Sequence, residues 1–291
     1  MVVSIRSFVA TRPMRAQTGG MPILNKDMSV CISLAGRPSN LGTRFHNFLY
    51  DELGLNFVYK AFTTDDLEGA VRGIRALGIR GCSVSMPFKE AVIPLVDVVE
   101  PSAAAIESVN TIVNDDGVLT ASNTDYEAIA QLIAENGLDP VQSVLVRGSG
   151  GMAKAVVAAF RGAGFDDVTV LARNASLGPA LAEQYGYAWT AADPEPGADV
   201  IVNVTPLGMQ GADASALSFS EEHVAAASVV FDVVAFPAET PLVSAGRAAG
   251  KLVISGAEVH AMQAAAQFER YTGVALTRDQ IARAAAFSRA E

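Results

Sequence analysis

The sequence predicts an α/β protein of two domains, each built on a largely parallel sheet. Three observations carry that expectation. The chain has 291 residues, more than one core of ordinary size takes and suited to two domains of about 150 residues each. Short apolar runs bounded by turn residues alternate with helical patterns along most of its length, the mark of strand–helix–strand units. Half of the residues are hydrophobic and 18% are charged, so both domains can bury large apolar faces and a disordered chain is excluded.

The first 27 residues stand apart from this pattern. They carry Arg6, Arg12, Arg15 and Lys26 with no acid before Asp27, and they lack the apolar stretch of a signal peptide. An organelle-targeting reading is weak. The preferred expectation is a disordered tail or an overlong start, with the fold beginning near Met21 or Met28. Strands are then expected at 28–34, 57–62 and 81–85, with helices near 43–53 and 65–77, a series that gives a mostly parallel sheet. Two extended runs within 108–123 flank Asp115-Asp116-Gly117, a hairpin signal. A helix over about 125–136 stops at Asn136-Gly137.

A second series follows. SVLVRG (143–148) reads as a buried strand that runs into GSGGMA and a helix ending near Ala163. VTVLAR (168–173), ADVIVNV (198–204), SVVFDVV (228–234) and KLVISG (251–256) supply four more strands, with helices between most of them. Five parallel strands with covering helices make a Rossmann-type nucleotide-binding domain. Helices over about 257–272 and 277–289 close the chain with no strand after them, and they are expected to pack back on the first domain. The expected division is therefore 28–124 plus 259–291 for the first domain and 125–258 for the second.

Charge and composition narrow the function. A formal net charge of −10 speaks against nucleic acid and anionic membranes, which need basic footprints, but not against a small anionic substrate. No apolar run reaches the roughly 18 residues of a membrane span. Cys31 and Cys82 both sit in apolar runs and read as core thiols in a reducing cytoplasm. Three widely spaced histidines offer no metal-ligand spacing. The expected partner is a small molecule, and the expected state a monomer or homodimer.

The glycine-rich turn carries the first specific chemistry. Gly148-Ser149-Gly150-Gly151-Met152-Ala153 follows a buried strand and precedes a helix, the place where a pyrophosphate lies on a helix N-terminus. A lone motif of this kind is weak, and the strand–turn–helix context strengthens it. The next strand chooses the cofactor. Sites for NAD usually place an acid about 20 residues on. Here that strand ends Ala172-Arg173-Asn174, a guanidinium suited to a 2′-phosphate, so NADP is expected. A solvated arginine is the plainer alternative. The loop Asn203-Val204-Thr205-Pro206-Leu207-Gly208-Met209 ends another strand at the same sheet edge. Asn203 and Thr205 are placed there to touch ribose or nicotinamide, and Gly256, at the end of the last strand, is counted with the cofactor residues.

Lys89 and Asp125 carry the second. Ser83-Val84-Ser85-Met86-Pro87-Phe88-Lys89 runs from a strand into a helix with Pro near its first position. Lys89 then lies in the first helical turn, where its charge opposes the macrodipole. That is a poor structural choice and a reasonable one for an amine that gives and takes a proton. An exposed lysine is the alternative. Asn123-Thr124-Asp125 precedes a helix, and any of the three is equally readable as an N-cap.

VSMPFK, SVNTIV, NTDYEA, GSGGMAKA, NVTPLGM and SGAEVHAMQAAAQF occur in this order over about 28–275. In sequence and spacing they resemble the shikimate/quinate dehydrogenase family. With its GRPSNLGTRFHN segment the chain looks like the divergent shikimate dehydrogenase-like branch. The resemblance implies an oxidoreductase of the chorismate pathway, and so of aromatic amino acid biosynthesis. It implies Lys89 and Asp125 as an acid/base dyad beside the hydroxyl being oxidised. It further implies that Asn110 and Gln263 bind substrate hydroxyls, with Ser85 standing for the family's Thr and Ser83 for its Asn.

The match fails at the substrate's carboxylate. Where the family has Ser-x-Ser-Pro ahead of His-Asn, this chain has Asn40-Leu41-Gly42-Thr43 before Arg44-Phe45-His46-Asn47. Asn40 and Thr43, with Ser39 beside them, remain as candidate substrate ligands. The family's Asp-x-x-Tyr reads Asp232-Val233-Val234-Ala235, and Val259-His260 replace a Met-Leu pair beside the cofactor. Losing a hydrogen bond to a charged carboxylate costs roughly 1.5–3 kcal/mol, so the substrate grip is expected to change while the chemistry stays. The expected function is NADP-dependent oxidation of shikimate, or a close polyhydroxy cyclohexene carboxylate, to the 3-dehydro ketone. The alternatives are a dehydrogenase of quinate or another cyclic polyol acid, and a non-catalytic NADP-binding regulator. Retention of Lys89 and Asp125 argues against the regulator.

Overall fold

Strand alternation and helix caps in the sequence become two six-stranded sheets in a computed structural model that describes residues 24–290. The first unit runs β1 (Ser29–Leu34), α1 (Leu41–Glu52), β2 (Phe57–Phe62), α2 (Leu67–Ala76) and β3 (Gly81–Val84). It continues through α3 (Phe88–Ala91), β4 (Val98–Val99), α4 (Pro101–Ala104), β5 (Thr111–Asp115) and β6 (Val118–Ser122). The strand order is β2-β1-β3-β5-β6-β4. β1 pairs in parallel with β2 and β3, and the β5–β6 hairpin adds antiparallel strands beside β3. The two-residue hairpin turn, Asp116-Gly117, has positive φ at both positions, which matches the twist of the strands.

Helix α5 (Thr124–Glu135) leads to the second unit. It contains β7 (Val144–Arg147), α6 (Gly151–Gly162), β8 (Val168–Leu171), α7 (Leu177–Tyr185) and β9 (Ala188–Thr190), then β10 (Val200–Asn203), α8 (Glu221–Ala226), β11 (Val229–Asp232), α9 (Pro241–Ala248) and β12 (Leu252–Ser255). Every pairing is parallel, in the order β12-β11-β10-β7-β8-β9. This is the dinucleotide-binding order, with its switch point between β7 and β10. The sheet has six strands rather than the five expected. β9 spans three residues, too short for a periodic signal, and is tied in by the Trp189 indole donating to Ala172 O at 3.1 Å.

The chain closes with α10 (Gly256–Thr272) and α11 (Arg278–Arg289), each started by a reciprocal cap, Ser255 with Glu258 and Thr277 with Gln280. Both return to the first sheet, as expected. Arg80 Nε donates to Tyr271 O at 3.0 Å, and Arg44 NH2 on α1 donates to Phe287 O at 2.9 Å. The expected domain boundaries at 124/125 and 258/259 fall inside the first turns of α5 and α10, which join the two units. Buried side chains from α1, α5, α6 and α10, among them Phe45, Ile129, Phe160 and Phe268, form one apolar cluster between the sheets. Cys31 and Cys82 are buried and free, and burial pushes the Cys31 thiol up to about 12. The tail expected over 1–27 lies, for residues 1–23, outside the described residues. Residues 24–27 already join the fold, since Asn25 Nδ2 donates to Asn56 Oδ1 at 2.9 Å. Among the described residues no helix is long and apolar enough to cross a membrane.

The His46-Asn47 pair is structural. Asn47 Nδ2 donates to Tyr59 O at 2.8 Å and its Oδ1 accepts from Tyr59 N at 2.9 Å, stitching α1 to β2. His46 is fully buried and stacked on Tyr59 with ring centroids 4.5 Å apart, and among the described residues no polar atom bonds its imidazole. Burial pushes its pKa down to about 3 from an ordinary 6.5. The unfolded chain therefore takes up a proton below pH 6.5 that the folded chain refuses until about 3. Stability is complete above that window and falls through it by up to about 1.4 kcal/mol per pH unit. In urea unfolding between about pH 6.5 and 4, His46→Phe should remove this one-proton slope. An unchanged slope would place the acid sensitivity elsewhere.

Candidate active site

Strand β3 ends at Val84, and Ser85 N donates back to Leu34 O of β1 at 2.9 Å. The chain then turns through Pro87 into α3. Lys89 is the second residue of that short helix, and its carbonyl accepts from Val109 N at 2.8 Å, which pins α3 against the segment entering β5. Four residues make almost no macrodipole, so the field argument for Lys89 does not apply. What faces its amine is a carboxylate: Nζ lies 2.6 Å from Asp125 Oδ2, with 27% and 11% of the two side chains exposed. Asp125 is free for this role because Asn123 is the N-cap of α5. Asn123 Oδ1 accepts from Tyr126 N at 3.0 Å, and its Nδ2 donates to Ser108 O at 2.8 Å.

Asn110 stands beside the pair. Its Oδ1 accepts from Thr124 N at 2.8 Å, Thr124 Oγ1 at 3.1 Å and Thr111 Oγ1 at 2.8 Å. Its Nδ2 has no partner among the described residues, so the amide is held with its donor free. Gln263 on α10 reaches the same place, with Oε1 3.4 Å from Thr124 Oγ1. Lys89, Asp125, Asn110 and Gln263 thus share one wall. Gln267, which sequence reasoning passed over, supports it from behind. It is 3% exposed, and its Nε2 donates to Thr111 Oγ1 at 3.1 Å, Ser83 Oγ at 3.3 Å and Asn110 O at 3.3 Å. The available signal was its position one helical turn after Gln263 on the same face. Ser83 therefore faces the supporting network, and Ser85 is exposed at the strand end.

Asn40 is the N-cap residue of α1 but makes no side-chain cap bond, and it is exposed. The Thr43 hydroxyl is enclosed without a hydrogen-bond partner among the described residues. With Pro38, Ser39, Lys60 and Ala61 these two line a cleft of about 360 Å³. Lys60 was not singled out from sequence. Its Nζ donates to Ala61 O at 3.1 Å and pairs with no carboxylate among the described residues.

On the second sheet the glycine turn lies at the switch point. Gly148 has φ +128, and a Cβ there would come within 2.7 Å of Val204 Cγ2, so only glycine lets the turn touch the β10 loop. A Cβ on Gly150 or Gly151 would meet nothing within 4 Å. These residues frame an open cradle at the start of α6, with Ser149 between the first two glycines. The N–H groups of Gly151 and Met152 have no partner among the described residues. Ala153 backs the cradle: it is 0% exposed and its N donates to Gly150 O at 2.9 Å. Arg173 is exposed just beyond β8 with no bond or ion pair among the described residues, while Asn174 Oδ1 accepts from Ser176 N and Leu177 N at 2.9 Å. A cradle with free donors and an unpaired guanidinium one strand away fit a dinucleotide that carries a 2′-phosphate.

Asn203 and Thr205, expected to touch ribose or nicotinamide, bond through their side chains within their own loop and to Asp232. Asn203 is fully buried, and its Nδ2 donates to Leu207 O at 3.1 Å and Asp232 Oδ1 at 3.0 Å. Its Oδ1 accepts from Thr205 N at 3.0 Å and Thr205 Oγ1 at 2.6 Å. Both side chains are spent shaping the loop, and Asn203 has no polar group left for a ligand. Asp232 completes the network by accepting from Thr240 Oγ1 at 2.5 Å. Burial raises the Asp232 pKa against the pull of its donors Thr240, Val234 and Asn203. Gly256 is explained by packing, since a Cβ there would lie 2.3 Å from Val234 O.

A sheet in dinucleotide-binding order, set against a second α/β sheet with a partly enclosed lysine–carboxylate pair, defines a two-domain dinucleotide-dependent oxidoreductase. The profile of the shikimate dehydrogenase substrate binding domain matches residues 39–112. A shikimate dehydrogenase-like protein of Haemophilus influenzae is 56% identical over 268 residues, covering 92% of this chain and 99% of that protein. The chain belongs to the shikimate dehydrogenase family. Among solved structures, a shikimate 5-dehydrogenase-like protein superposes with a TM-score of 0.90 at 55% identity, covering 92% of this chain and all of the other. The Thermus thermophilus shikimate 5-dehydrogenase, solved with NADP(H) and shikimate, superposes with a TM-score of 0.81 at 29% identity, over 90% of this chain and 100% of that one.

Proposed function

We propose that the protein oxidises a ring hydroxyl of shikimate, or of a closely related polyhydroxy cyclohexene carboxylate, to the ketone with NADP as hydride acceptor. The observation that carries this reading is the 2.6 Å contact between Lys89 Nζ and Asp125 Oδ2 on the wall shared with Asn110 and Gln263. Residues 28–124 and 259–291 hold and deprotonate the substrate, and residues 125–258 hold the cofactor. A bound NADP would supply the hydride acceptor for the carbon that carries the reacting hydroxyl. Lys89 Nζ takes the hydroxyl proton as the carbonyl forms, and Asp125 orients the amine and stabilises the resulting ammonium. Asn110 Nδ2 and Gln263 bind neighbouring hydroxyls and fix the ring's register. Gly150, Gly151 and Met152 would hold the pyrophosphate at the α6 N-terminus, and Arg173 would hold the 2′-phosphate.

The cleft lined by Asn40 and Thr43 lacks the serine pair that the family uses for a carboxylate, so the substrate is held less tightly there. Asn40→Ser with Gly42→Ser should lower KM for shikimate roughly tenfold or more and leave kcat nearly unchanged, since these groups bind ground and transition states alike. A Cβ at Gly42 meets only Tyr59 Oη at 3.4 Å and two ring atoms beyond, so the variant fits the fold. An unmoved KM would show that another group, such as Lys60, already holds the carboxylate. The function itself is tested with a panel of cyclic hydroxy acids, each offered NADP and NAD, following absorbance of the reduced nicotinamide. Turnover of shikimate or a close analogue with NADP is expected. Binding of NADP without turnover of any member would instead support the regulatory reading.

A further inference from the structure

The face of α10 that builds the substrate wall extends one turn beyond Gln263. Residues 260, 263 and 267 share that face by their spacing of three and four. Gln267 supports Asn110, Gln263 reaches Thr124, and His260 comes next toward the helix start. His260 is only partly exposed. It lies within electrostatic reach of Arg289 and Asp125. No hydrogen bond takes up either imidazole nitrogen among the described residues. Arg289, at the end of α11, donates to Ala257 O at 2.9 Å and Ala285 O at 3.3 Å and pairs with no acid among the described residues. It gives His260 a positive neighbour without satisfying it.

Burial, with the Arg289 guanidinium adding to it, pushes His260 down to about 4 against the pull of Asp125. At neutral pH the ring is uncharged, with one donor and one acceptor nitrogen. Neither nitrogen is among the enclosed, unpartnered atoms of the described residues, so the imidazole has a donor and an acceptor open to a ligand. The position is one turn along the helix from a residue that binds substrate in the proposed function.

We propose that His260 is a substrate-contacting specificity residue whose imidazole hydrogen-bonds a second hydroxyl of the substrate ring, distinct from the one oxidised at Lys89. The inference rests on the proposed function and deepens it, because it requires a substrate with an additional polar substituent directed at the start of α10. An apolar residue at 260 would leave that hydroxyl unpaired, so the histidine selects for it.

The test compares wild type, His260→Leu and His260→Gln on the best substrate of the panel and on analogues that each lack one ring hydroxyl. NADP dissociation constants are measured by calorimetry alongside. His260→Leu is expected to raise KM at least fivefold on the full substrate and to leave it unchanged on the one analogue missing the contacted hydroxyl. His260→Gln should recover part of the loss, and NADP affinity should not move. An equal KM change on every analogue, or a loss confined to NADP affinity, would mean that His260 only packs against ring or cofactor, and would overturn the inference. Lys89→Ala measured in parallel separates the two readings. If Lys89 proves essential while His260→Leu leaves KM unmoved, only this inference falls. If Lys89→Ala keeps full turnover, or no analogue is turned over, the proposed function falls and this inference with it.

Discussion

Replacing Lys89 by Ala should lower turnover on the best substrate by at least a hundredfold, since positioned acid–base groups typically contribute about 10²–10⁴. NADP affinity should barely move, because the glycine cradle belongs to the other sheet. Asp125→Asn should cost less, as the carboxylate orients and stabilises the amine rather than moving the proton itself. Two groups in contact at 2.6 Å act as a unit, so the double variant should be little worse than Lys89→Ala alone. Additive losses would mean that the two side chains act separately. Wild-type turnover in Lys89→Ala would reduce the contact to a structural ion pair, of the kind Arg75 of α2 makes with Asp97 just ahead of β4.

The second large effect concerns cofactor choice. NADP is expected to bind at least tenfold tighter than NAD, and Arg173→Ala should erase most of that preference while leaving NAD affinity unchanged. A guanidinium with no partner among the described residues loses little by pairing with phosphate, and charge-assisted pairs of this kind are worth roughly 1.5–3 kcal/mol. The plainer reading, a solvated arginine at a strand end, predicts equal losses for both cofactors. Calorimetric titration of wild type and Arg173→Ala with both cofactors separates the two.

Much of this architecture was legible from the chain because parallel strands buried on both faces leave apolar runs that turn residues punctuate. SVLVRG, VTVLAR and ADVIVNV gave their strands, and Asn136-Gly137 gave the end of α5. β9 was not legible because three half-exposed residues carry no period. The Lys89–Asp125 contact spans 36 positions of sequence. Local pattern could not supply it, and it rested on resemblance until the geometry brought the two side chains together. The identity of the α5 cap was open for the same reason. Asn123, Thr124 and Asp125 are all good capping residues, and only the hydrogen bonds show that Asn123 caps, Thr124 holds Asn110 and Asp125 is left for Lys89. The side-chain partners of Asn203 were not legible either. A polar residue at the carboxyl edge of a nucleotide-binding sheet reads as a ligand, and here its partners are Leu207, Thr205 and Asp232.

The central claim is hydride transfer between a ring carbon and NADP at the Lys89–Asp125 wall. Its most direct test uses shikimate carrying deuterium on the carbon that bears the oxidised hydroxyl, with NADP and the wild-type protein, and mass analysis of the recovered cofactor. The account predicts reduced cofactor carrying one deuterium, formed far more slowly by Lys89→Ala. Reduced cofactor without the label, or label lost to water, would contradict it.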